Sequence, residues 1–159
     1  MEKERRVSGE AIRETVGIIG VIASLVFVGL EIRQNTTVAR GQTRQDLAAL
    51  NQEWLVLMST DSAFASTFQK AWVEQSRDLS QHEVWRAHFG MRMHLRRLEN
   101  VYLQFAEGLV DASALQSYGF QSELLFRSAT FRDFWSVEQS GFDPGFVRYL
   151  DQHLRQTPE

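Results

Sequence analysis

Val16-Gly17-Ile18-Ile19-Gly20-Val21-Ile22-Ala23-Ser24-Leu25-Val26-Phe27-Val28-Gly29-Leu30 carries no charge, and its one strong polar group is the Ser24 hydroxyl. A helix built from this stretch is apolar on every side, so it has no face to turn to water. It belongs inside a protein or inside a bilayer. Continued past Glu31 to Ile32, it spans roughly 25 Å of helix, the short end of what a hydrocarbon core of ~30 Å requires. Arg13 and Arg33 can reach outward to the headgroups and cover the shortfall. Ten of the fifteen residues are Val, Ile, Leu or Phe. Together they favour insertion by about 3 to 6 kcal/mol, less a few for the glycines and Ser24.

Two other readings compete with a membrane anchor. One is a buried central helix of a soluble bundle. The other is a cleaved signal peptide, which Gly29-Leu30-Glu31-Ile32 argues against because it offers no small-x-small cleavage site. The expectation is a single uncleaved anchor over residues 15–32, preceded by a charged lead-in at 1–14 and followed by a helical stalk and bundle at 33–159. Gly17, Gly20 and Ser24 share one side of the anchor and form a small-residue groove through which two copies could approach closely in lipid. The plainer reading is that glycine is common in membrane helices.

The rest of the 159-residue chain is long enough for one domain with a core. Eleven Phe and four Trp argue against disorder. A formal charge of −3 gives no pull toward nucleic acid. There is no Cys, which excludes disulfides, thiolate metal sites and cysteine nucleophiles. The basic residues are nearly all Arg, in keeping with a GC-rich bacterial genome. Lys3, Arg5, Arg6 and Arg13 flank the apolar stretch on one side, Arg33, Arg40 and Arg44 on the other. That balance does not set orientation by the positive-inside rule.

Only Pro144 and Pro158 occur, and no β-alternating segment or Asn-Gly hairpin signal interrupts the chain. The pattern reads as all-α. Residues 31–46 are polar but hold no helix breaker except Gly41, and continue the first helix as a stalk. Leu47, Leu50, Trp54 and Leu57 then share one face. Asp61 or Ser62 caps a second helix with Phe64, Phe68 and Trp72 at i, i+4 and i+8. Ser80 and Glu83 form a capping box for a third helix, with Leu79 and Val84 as its staple. A heptad seam runs through Val84, His88, Met91, Leu95, Leu98, Tyr102, Phe105 and Leu109, and Gly108 is a stop signal. Asp111 caps a fourth helix, stapled by Val110 and Leu115 and carrying Tyr118, Leu124, Leu125 and Phe126. A short helix covers 131–138. Asp143 then caps a last helix with Pro144 at its first position and Phe142 stapled to Val147; Phe146, Leu150 and Leu154 form its buried face. Together these give an N-terminal transmembrane helix, a stalk and an antiparallel helical bundle.

The apolar first helix runs into Glu31-Ile32-Arg33-Gln34-Asn35-Thr36. An aromatic-rich helical centre, Phe134-Trp135 and a Phe142-x-Pro144-x-Phe146-x-x-Tyr149-x-Asp151 tail follow. In this the chain resembles a widespread group of small bacterial proteins of unknown function. The resemblance implies a single-span protein with a helical domain, and implies no chemistry. The Arg-rich segment after the span implies a cytoplasmic domain at the bacterial inner membrane.

Signals for chemistry are sparse. His82, His88 and His94 lie six apart, about 600° of helix rotation, whereas metal ligands on a helix come at i, i+3 or i+4. There is no Gly-x-Ser-x-Gly, Ser-x-x-Lys or glycine-rich phosphate loop. No catalytic residue, metal or cofactor is therefore expected. His88 interrupts the apolar seam and reads either as a buried, hydrogen-bonded core residue or as a pH-sensitive or ligand-facing one. With Arg92 and Arg96 it makes a stripe, either a solvated face or an anion pocket. Trp85 and Phe89, off the seam, read as core packing or as a partner-binding patch. The functional expectation is a membrane-anchored interaction or assembly module whose partners are the lipid bilayer, a second copy of itself and a further protein. The alternative is a tethered domain that senses a small molecule or anion.

Overall fold

A computed structural model describes residues 9–120, 125–126 and 128–156. The chain is all-α, with no strand among the described residues. The helices are α1 (Gly9–Thr60), α2 (Ser62–Trp72), α3 (Gln81–Ala106), α4 (Ala112–Leu115), α5 (Ala129–Glu138) and α6 (Pro144–Gln156). A π-helical turn (Gln116–Phe120) follows α4, and a 3-10 turn (Gln139–Gly141) follows α5. Leu124 lies outside the described residues.

Two compact units divide the chain, Met1–Gly41 and Gln42–Glu159. In the first, α1 contains a stretch long and apolar enough to cross a membrane, with a mean hydropathy of 2.3 in its most apolar window and none of that window buried. Leu25 and Phe27 are each 68% exposed. Asn35-Thr36-Thr37 does not break the helix. The Thr36 and Thr37 hydroxyls donate back to the carbonyls of Ile32 and Arg33 at 2.9 and 3.0 Å, which keeps these polar groups satisfied within the helix.

The second unit is built on local signals. A single residue, Asp61, separates α1 from α2; its Oδ1 accepts from the Phe64 amide at 2.9 Å. The Ser80/Glu83 capping box starts α3. At the other end Gly108 takes φ +73°. The Leu109 amide then reaches the Gln104 carbonyl and the Gly108 amide that of Phe105, the paired closure of a left-handed helix stop. Asp111 caps α4 and Ser128 caps α5. Asp143 Oδ1 accepts from the amides of Gly145 and Phe146 at 2.8 and 3.0 Å, opening α6 behind Pro144.

The core gathers Phe68 and Trp72 of α2, Met91, Leu95 and Leu98 of α3, Phe131 and Trp135 of α5, and Phe146 and Leu150 of α6. Two indoles buried here keep hydrogen bonds: Trp72 Nε1 donates to the Ala87 carbonyl and Trp135 Nε1 to Asp151 Oδ1. The strip that α3 buries differs from the expected seam. Met91, Leu95 and Leu98 are fully covered, but Val84 is half exposed, and Ala87, Gly90, His94, Glu99 and Val101 are buried instead. The reason is steric. A Cβ on Gly90 would sit 2.9 Å from the Phe64 ring, so α2 packs down onto the small residues beside the large ones.

Gly90→Ala should therefore destabilise the bundle by about 1–2 kcal/mol, because overpacking outweighs the gain in helix propensity; the urea midpoint followed by Trp fluorescence measures it. Gln75 holds φ +52° after α2, a conformation that glycine adopts without the side-chain penalty. Gln75→Gly should raise the same midpoint by an amount equivalent to about 1 kcal/mol.

Candidate functional site

The polar groups that could do chemistry lie along α3. Arg92 and Arg96 lie one turn apart on it, Arg97 follows Arg96 on a neighbouring side, and each of the three has a different environment. The Arg92 guanidinium donates to Glu138 of α5 at 2.6 Å, with His88 Nε2 at 3.7 Å from the same carboxylate. Arg96 pairs with Glu99 at 2.5 Å, donates to the Gly141 carbonyl at 2.6 Å, and lies over the Phe142 ring at 4.3 Å. Glu99 is nearly covered; its second oxygen accepts the Asp143 amide at 2.6 Å. This carboxylate thus binds an arginine of its own helix and the start of α6.

The expected stripe of His88, Arg92 and Arg96 does lie along one helix, and its two arginines each carry a carboxylate partner. His88 is half-buried, packed against Phe134 and Phe89, and borders a groove of about 350 Å³ with Trp72 and Leu79. It is not the buried histidine of the core. That place belongs to His94, whose ring sits 5.0 Å from Trp54 and 6.4 Å from Phe68. Burial, reinforced by the nearby Arg97 charge, pulls its pKa down to about 3. Arginine has only donors, so the 3.3 Å contact between Arg97 Nη2 and His94 Nδ1 makes Nδ1 the acceptor. The proton of the neutral ring is then on Nε2, which is buried with no hydrogen-bond partner among the described residues.

Arg97 also donates to Asn51 Oδ1 of α1 at 2.6 Å and faces the Trp54 ring at 6.0 Å. Its own pKa is lowered, chiefly by burial. Beside it runs an apolar groove of about 360 Å³ between residues 50–57 of α1 and 93–100 of α3, lined by Leu50, Trp54, Leu57 and Met93 and by Glu53, Arg96, Arg97 and Asn100.

Trp85 and Phe89 are not core residues. They stack on each other with centroids 5.8 Å apart and remain 56% and 59% exposed. Gly17, Gly20 and Ser24 are exposed in the first unit, and a Cβ at either glycine would meet nothing within 4 Å. No cluster of three or more potential metal ligands occurs among the described residues.

Sequence reasoning missed His94, Arg97 and Asn51. The signal was present in a second register. Ala87, Met91, His94, Leu98 and Val101 step by four and three as regularly as the seam through His88, with which they share Met91 and Leu98. Among known proteins, no family model, no curated protein and no solved structure matches this chain.

The His94 environment makes stability depend on pH. Between 6.5, its ordinary value, and about 3, the unfolded chain binds a proton that the folded chain refuses, so stability falls as the pH drops through that window. Going from pH 7 to pH 5 should cost about 2 kcal/mol from this group alone. His94→Asn keeps an acceptor for Arg97 and cannot titrate. Its urea midpoint should vary less with pH over that range than that of the wild type.

Proposed function

We propose that this protein is a membrane-tethered helical interaction module, held at the bacterial inner membrane by the apolar segment of α1 with its bundle in the cytoplasm. The observation that carries the reading is that every residue from Val16 to Leu30 is exposed within its own unit. So large a contiguous apolar surface does not stay in contact with water. A lipid bilayer covers it at the length available.

Two further features favour interaction over catalysis. Gly17, Gly20 and Ser24 leave a shallow face on the anchor that suits close approach of a second copy in lipid. Trp85 and Phe89 present a rigid aromatic pair to solvent outside a well-filled core, and such residues dominate the energetics of protein interfaces. The partner of this patch is a protein, and its recognition is apolar.

Fractionation and crosslinking test the reading. The full-length chain should remain in the membrane pellet after an alkaline carbonate wash and leave it only with detergent, and Ile19→Arg with Ile22→Arg should shift it to the supernatant. Crosslinking in native membranes should trap a homodimer that Gly20→Leu reduces several-fold. A wild-type chain recovered in the supernatant without detergent refutes the anchor; a dimer indifferent to Gly20→Leu refutes the small-residue face.

A further inference from the structure

We propose that the groove between residues 50–57 of α1 and 93–100 of α3 binds a medium-chain fatty acid anion, with its chain on Leu50, Trp54, Leu57 and Met93 and its carboxylate against Arg97. The walls suit the tail. Leu50 and Met93 are 38% and 44% exposed although they line a concave apolar surface. At about 360 Å³ the groove stands near the lower end of small-molecule sites, which fits one acyl chain better than the two of a membrane phospholipid.

Charge selects the head. Arg97 is a half-buried cation whose hydrogen-bond partners, Asn51 and the neutral His94, carry no charge. No ion pair joins it to a carboxylate among the described residues, whereas Arg92 and Arg96 on the same helix pair with Glu138 and Glu99. Burying a charge without a counter-charge is costly, and a monovalent anion entering the groove supplies one. Asn51 and His94 occupy two of the five guanidinium N–H groups, leaving others for an incoming oxygen. They also hold the guanidinium in place beforehand, so little ordering is lost on binding. Glu53 lines the groove without reaching ion-pair distance of Arg97, and its charge turns the carboxylate toward the arginine.

The test uses the full chain in phosphatidylcholine nanodiscs at pH 8 with decanoate carrying ¹³C at its carboxyl carbon, read by the carboxyl NMR signal against empty discs. A saturable bound signal is expected on the protein discs only. Arg97→Gln should weaken it about tenfold or more, the usual consequence of losing a charge-assisted hydrogen bond. Met93→Trp fills the groove from an exposed position, leaves Arg97 in place, and should abolish the signal. If Arg97→Gln fails to fold, as its melting curve reveals, Met93→Trp decides. Arg77→Gln, at an exposed arginine outside this groove, should bind as the wild type does. Decanol should not displace decanoate. The proposal is overturned by binding no greater than to empty discs, by binding that survives both groove variants, by displacement with decanol, or by decyl phosphate binding more tightly than decanoate.

Discussion

The second unit depends on one helix being covered from several sides at once. α3 packs against α2, α4 and α6, and its interior strip combines Ala87 and Gly90 with Met91, Leu95 and Leu98. The small residues set how near α2 can come; the large ones join a core cluster shared with residues of α5 and α6. Because the interior is close-packed, a methyl added at Gly90 has nowhere to go without moving the Phe64 ring. The aromatic contacts from Trp54 through Phe64 and Phe68 to Trp72 follow from that close approach.

Polar groups inside this frame act mainly as fasteners. Glu99 holds Arg96 and the amide of Asp143, joining the middle of α3 to the start of α6. Glu138 joins α5 to Arg92. In both cases a carboxylate meets a guanidinium at short range, and charge-assisted bonds of this kind are the stronger ones. Arg97 departs from the pattern. Its partners are neutral, and one of them, His94, is kept neutral by burial. A cation left without a balancing charge beside an open apolar groove is what sets this corner of the molecule apart from an ordinary core.

Much of the architecture was legible because it is written in short-range chemistry. Asp61, Ser80, Asp111 and Asp143 accept from amides two or three residues ahead, and Gly108 adopts the left-handed turn its lack of a side chain permits. None of these depends on a distant neighbour, so the local string suffices. Ser128 is an equally local cap that sequence reasoning overlooked, since the expected helix began at Phe131. The choice between Val84-His88 and Ala87-His94 as the inward face could not be made locally. Both have the same period, and the decision rests on which side α2 occupies. The same holds for Trp85 and Phe89, whose exposure depends on what does not pack against α3. The groove beside Arg97 joins residues from two helices separated along the chain, and no spacing rule places Asn51 opposite it.

The bond from Glu99 to Asp143 spans 44 residues, which matters during synthesis. α3 is synthesised before the last helix. Until residue 143 emerges, the inner carboxylate has no amide to hold, and the covered strip around Leu98 lacks the rings of Phe142 and Phe146. A chain that stops short of residue 142 would therefore leave the Glu99 carboxylate without its amide and the core without Phe142, Phe146 and Leu150.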